Sequence, residues 1–157
     1  MMRTGWLTLM LTCACASAAR GQSVCARKLL TPNDVAGILS DPIVGMKDIP
    51  GDAQSCNFVT TSFPAITVML RPGLGRATVS QWASGQIMPT TPVAGVGDRA
   101  VWVSASNEIV ADKSNVLCDI RVRGAERDLA QGAAEGLQKR LGDLCNKIYK
   151  ALAAQPK

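Results

Sequence analysis

The chain has 157 residues, 47% of them hydrophobic, with a formal net charge of +5. The apolar content excludes a disordered chain, and the length suits one domain after processing. There is no histidine, which removes Ser-His-Asp and Cys-His catalysis and every imidazole metal site. The basic residues are scattered rather than set in a stripe with aromatics, so composition points away from nucleic acid; only Arg121, Arg123 and Arg127 cluster.

The N-terminus reads as a targeting segment. Met1-Met2-Arg3 is a short positive end, and Trp6 to Ala16 is an apolar run too short to span a bilayer. Small residues at Ala16-Ser17-Ala18-Ala19 suit signal-peptidase cleavage after Ala18 or Ala19. That makes residues 1–19 a signal peptide and 20–157 a single exported domain, periplasmic or secreted. The competing reading is a lipoprotein acylated at Cys13 or Cys15; it fits less well, because Thr12 stands where a Leu is wanted three residues before Cys15. No later stretch is long and apolar enough for a transmembrane span.

Four cysteines follow the signal: Cys25, Cys56, Cys118 and Cys145. An even count in an exported chain argues for two disulfides. Three pairings are open; Cys25–Cys56 with Cys118–Cys145 is favoured because each bond staples neighbouring elements. A zinc site is disfavoured by the lack of any Cys-x-x-Cys knuckle.

In chain order, Thr31-Pro32-Asn33-Asp34 is a helix start, with Thr as cap, Pro at the first helical position and Asp positioned to bond back to the cap. Val35, Ile38 and Leu39 predict a helix of two to three turns, ended by Asp41-Pro42. A loop with a brief edge strand at Val44 to Ile49 leads to two strands, Asn57 to Ser62 and Ala65 to Arg71, with Phe63-Pro64 at their turn. Arg76 to Ser84 predicts a helix stopped by Gly85. Residues 85–95 read as an irregular crossing loop, the place for a mobile lip.

Three short strands follow, separated by turns at Gly95 to Asp98, Ser106-Asn107 and Lys113 to Asn115. The last alternates, with Val116, Cys118, Ile120 and Val122 on one face and Leu117, Asp119, Arg121 and Arg123 on the other. Leucines and other apolar residues stepping by three and four from Leu129 predict a long helix over Glu126 to Ala153. Gly132, Gly136 and Gly142 stand unfavourably inside it. The order α-β-β-α-β-β-β-α gives an α+β fold, an antiparallel sheet of about five strands covered by helices.

No spacing identifies catalytic, cofactor-binding or metal-binding residues. Gly95-Val96-Gly97-Asp98-Arg99-Ala100 matches a dinucleotide fingerprint on paper, but prolines precede it and a strand follows, so it reads as a turn. Trp82 and Trp102 read as core, with a ligand pocket as the other possibility. Asp98, Glu108, Asp112 and Asp119 read as solvated strand and turn positions; a pair such as Asp98 and Glu108 would serve a hydrolase only if they converged across a cleft at roughly 5–10 Å.

Cys25 followed by Leu29-Leu30-Thr31-x-x-Asp34-Val35, then Ser55-Cys56-Asn57-Phe58, then Gly95-Val96-Gly97-Asp98-x-Ala100, resembles a family of small exported bacterial proteins and lipoproteins of unknown function, common in actinobacteria. The resemblance covers about residues 25–123. It implies an envelope protein with a curled antiparallel sheet and helices, and a bond between the first two cysteines; it carries no catalytic residues. The weak lipobox and the extra pair Cys118 and Cys145 depart from it.

The function expected is a non-enzymatic binding or interaction module, an inhibitor of a secreted or periplasmic enzyme being a special case. Its partner would be an envelope or extracellular protein or a small ligand, with no cofactor. The contact would lie on residues 85–98, with Thr90, Thr91, Val93 and Asp98 as contact residues. The alternatives are a histidine-free hydrolase of cell-wall or glycan substrates and a structural envelope protein.

Overall fold

The computed structural model describes residues 22–124 and 128–155. The expected signal segment with Cys13 and Cys15, the helix start at Glu126, and Arg127 lie outside the described residues. The chain forms an antiparallel sheet of seven strands: β1 (Gly45–Ile49), β2 (Asp52–Val59), β3 (Pro64–Pro72), β4 (Thr91–Pro92), β5 (Arg99–Val103), β6 (Glu108–Lys113) and β7 (Val116–Val122). Their spatial order is β1-β2-β3-β7-β6-β5-β4. Three helices accompany them: α1 (Pro32–Val35), α2 (Gly75–Ala83) and α3 (Leu137–Ala153). The class is the expected α+β; beyond the five strands counted, the sheet has β1, where a brief edge strand was expected, and β4, whose two residues are too few to stand out by alternation.

The alternation divides the sheet into two faces. On the front, Cys56, Phe58, Ile66, Val68, Ile109, Ala111, Cys118 and Ile120 form one buried cluster with Leu141, Cys145 and Ile148 of α3 and with Val24, Leu29, Leu30 and Val35 of the N-terminal segment. On the back, Val101, Val103, Val110 and Leu117 form a smaller cluster with Val79, covered by Trp82 and Met88. Helix α2 therefore lies over β5, β6 and β7, while α3 crosses the other side of β6 and β7.

Both disulfides pair as favoured. Cys25–Cys56 pins the N-terminal segment to β2, and Cys118–Cys145 pins α3 to β7, with Cα–Cα distances of 5.0 and 6.0 Å. By the chain-entropy argument each closure stabilises the domain by about 3 kcal/mol.

Two helices are shorter than the periodicity predicts. α1 is a single turn; Gly37, at φ +71°, ends it. Ile38 and Leu39 are still buried, though they lie outside the helix: Leu39 bridges Leu129, and the Ala130 N–H donates to the Ile38 carbonyl. That bridge uses residues assigned by their spacing to the long helix, which begins only at Leu137. Gly132, at φ +75°, is incompatible with a helix, so Leu129 is buried at a position that helical spacing mimics.

At α1, the Asp34 carboxylate accepts the Thr31 N–H at 2.7 Å and the Thr31 hydroxyl at 2.9 Å. It also accepts from Lys147 of α3, tying the first helix to the last.

Candidate functional site

A cleft of about 560 Å³ opens on the front side, between the β4–β5 connection and the start of α3. Val93, Ala94, Gly95 and Val96 form one wall; Ala134, Gly136, Gln138, Lys139 and Asp143 form the other; half-buried Trp102 of β5 lies between them. The volume falls within the range of small-molecule sites. Its chemistry is an indole and two valines with a polar rim, on which Lys139 and Asp143 form an ion pair at 2.7 Å.

The wall at 93–98 is clamped rather than a free lip. Val96 is buried, and its Cγ2 would stand 2.6 Å from a β-carbon added at Gly142, so only glycine at 142 lets the loop close on α3. The Asn146 side chain holds the same loop twice, accepting the Gly97 N–H at 3.0 Å and donating to the Gly95 carbonyl at 2.8 Å. Gly97 has φ +56°, and a β-carbon there would come within 2.4 Å of the Asp112 carbonyl oxygen. The fingerprint-like glycines are thus a turn that seats one wall of the cleft.

The residues expected on the contact loop are dispersed. Val93 lines the cleft, and its N–H donates to the Ala100 carbonyl at 2.9 Å. Thr91 pairs with Trp102 across β4 and β5. The Thr90 hydroxyl donates to the Trp82 carbonyl at 3.3 Å, on the side toward α2. The Asp98 carboxylate accepts the Ser114 N–H at 2.8 Å and braces two turns. Gln138, Lys139 and Asp143 were not anticipated; the signal was the pair Gly132 and Gly136, which break the apparent helix and leave its true first turn open at the cleft.

The carboxylates expected to be solvated are a correction. Asp98 is exposed, but Glu108 is 0% and Asp112 2% exposed, because both point from β6 to the back face, where Arg121 and Ser106 close over Glu108 and the start of α2 lies against Asp112. Asp98 and Glu108 do not converge. The Asp98 N–H donates to the Asp112 carbonyl at one end of β6, and Glu108 stands at the other end, about 13 Å away by strand rise. Glu108 instead meets Arg121 of β7, with Asp119 two residues away from Arg121 on the same face.

Arg121 takes both oxygens of Glu108, with Nη2 at 2.9 and 2.8 Å and Nε at 3.1 Å, and the Ser106 hydroxyl donates at 2.7 Å. A carboxylate filled this way is a poor base or nucleophile. Asp112 is sterically boxed: a β-carbon at Gly75 would lie 2.4 Å from its Oδ1, an oxygen with no hydrogen-bond partner. Burial, and then the charge of Asp112, pushes the Tyr149 phenol well above its ordinary range.

The two tryptophans part company across the sheet: Trp82 packs on the back cluster and Trp102 against the front one. Among the described residues no three Cys, Asp or Glu side chains converge to hold a metal, and no helix is long and apolar enough to cross a membrane. No protein-family model, curated protein or solved structure matches the chain.

Proposed function

We propose that the protein is an exported, non-enzymatic binding module that takes a small ligand in the Trp102 cleft. The observation that carries this reading is the built cleft itself: about 560 Å³, with one wall fixed to α3 by Asn146 and by Val96 against Gly142. A preformed site binds without first ordering its loops, which is where much of the cost of association lies. The lining has no serine, cysteine or threonine, and its carboxylate is engaged by Lys139; this supports binding over catalysis. The two disulfides, the apolar N-terminal run and the resemblance to small exported proteins support an oxidising, extracytoplasmic setting.

The ligand class that suits the lining has one flat apolar face for the indole and hydrogen-bonding groups at its edge for Gln138 and the Lys139–Asp143 pair. Short saccharides, disaccharide-peptides of the cell wall and small aromatic compounds have that form. The test is thermal unfolding of the oxidised protein, residues 20–157, with each class in turn, against Ala94→Trp, which fills the cleft. One class should raise the midpoint of the wild type and leave the filled variant unmoved. Equal shifts in both proteins, or none with any class, would remove the reading.

A further inference from the structure

One end of the sheet gathers four segments that the cleft does not use. The turn after β3 meets the turn between β6 and β7: the Gly73 N–H donates to the Asn115 carbonyl at 2.8 Å, and the Asn115 side chain accepts the Arg76 N–H and donates to the Gly73 carbonyl, both at 3.1 Å. The N-terminal segment joins them, because Gln22 and Arg27 border one groove with Ala53 and Pro72, and the Val24 N–H donates to the Ala53 carbonyl at 2.9 Å. The last turns of α3 arrive at the same place, where the Tyr149 hydroxyl donates to the Val116 carbonyl at 3.2 Å. Leu74 stands out from this end, 50% exposed. Arg76, Lys113 and Lys150 are exposed around it, and Arg27 is half-buried. The carboxylates of these turns are engaged inside the domain: Asp52 by Arg71 at 3.3 Å, Asp112 buried beside Arg99, and Asp98 by the Ser114 N–H. The opposite end differs, for there Phe63 of the β2–β3 turn shares a groove with Asp41 and Asp128.

We propose that this end is a membrane-docking face, seating Leu74 among the headgroups of an anionic lipid bilayer while Arg27, Arg76, Lys113 and Lys150 meet the phosphates. A half-exposed leucine ringed by cations matches such a surface twice over, by apolar burial and by charge. The course of the chain agrees. Gln22 lies at this end, and the apolar run of the expected signal stops at Ala16, six residues earlier, a reach of about 20 Å at most. A link of that length holds this face within reach of the membrane until the signal is removed. Each basic residue brought to an anionic surface then adds about fivefold to partitioning, and the attraction fades within about 10 Å at ordinary salt. None of this depends on what the cleft binds.

The test is sedimentation of the oxidised protein, residues 20–157, with lipid vesicles. Vesicles of mixed phosphatidylglycerol and phosphatidylcholine should carry it down at about 50 mM salt and release it as salt rises, and pure phosphatidylcholine should leave it in solution. No binding to the anionic vesicles, or equal binding to both kinds, would overturn the proposal. Arg76→Gln with Lys113→Gln should weaken binding about 25-fold. Arg123→Gln, exposed at the far end of β7, should leave it unchanged; a loss there as large as that of Arg76→Gln alone would show that net charge, not this face, is read. Leu74→Ser should weaken binding about tenfold. No change in that variant would mean that charge alone holds the protein, as it would on any polyanion, and would overturn the lipid assignment. All the substituted side chains are exposed, so the fold is kept in each variant.

Discussion

The two faces of this sheet are built from the same strands and obey different physics. Ile120 and Arg121 are adjacent in β7, yet Ile120 packs in the front cluster and Arg121 reaches across the back to Glu108. The front is covered by α3 and the N-terminal segment, with a disulfide fastening each. On the back α2 reaches β5, β6 and β7, and β1 to β3 carry a polar ladder that includes a hydrogen bond of 2.7 Å from the Thr67 hydroxyl to Asn57. The difference teaches that a half-covered face can bury charge where a cation reaches it, as Arg121 reaches Glu108 and Arg99 reaches Asp112.

The comparison predicts unequal costs for neighbouring residues. Ile120→Ala leaves a cavity at a fully buried front position and should cost about 4 kcal/mol in denaturant unfolding. A cost below that of Arg121 substitution would mean the front cluster is not the main core. Arg121→Met keeps the side-chain length but strands the Glu108 carboxylate. Breaking a buried pair is expensive, but Arg121 is half-exposed, so about 2 kcal/mol is expected, and adding Glu108→Gln should recover much of it. Failure of the double variant to recover stability would show that Arg121 acts by packing alone.

The smallest effect lies at the rim of the front face. Burial raises the Asp34 carboxyl, but hydrogen bonds from Lys147 and Thr31 outweigh it and hold the group below its ordinary value. A lowered carboxyl contributes stability above the unfolded value of 3.8 and loses it as pH falls through the folded one. Asp34→Asn should cost about 0.5 kcal/mol near neutrality and nothing in strong acid. This acid-side loss is opposite in sign to the loss expected of Asp119, whose raised carboxyl takes stability away as pH climbs from about 4 to about 8, so melting curves across pH separate the two faces.

Much of the sheet was legible because strand alternation is a local signal. The turns at 95–98, 106–107 and 113–115 delimit β5, β6 and β7, and the two facial rows of β7 fall as its alternation placed them. The long helix was overextended because Leu129 and Ala133 sit at helical spacing, while their burial comes from packing around the extended bridge to Leu39. Periodicity reports which residues are buried, not the backbone that buries them. The carboxylates were misjudged for a related reason: Glu108 and Asp112 alternate away from the main core, and nothing local says that α2 and neighbouring strands close over that side.

By itself the sequence determined the α+β class, the central strands, the start of the first helix and the favoured cysteine pairing, all set by short-range patterning and by which elements adjoin along the chain. Only the tertiary structure decided that Glu108 meets Arg121, that Val96 seats against Gly142, and that Trp102 stands beside the first turn of α3 in an open cleft. Those contacts join residues far apart along the chain. Their geometry depends on strand register, on helix placement and on where a glycine permits close approach, none of which any single segment encodes.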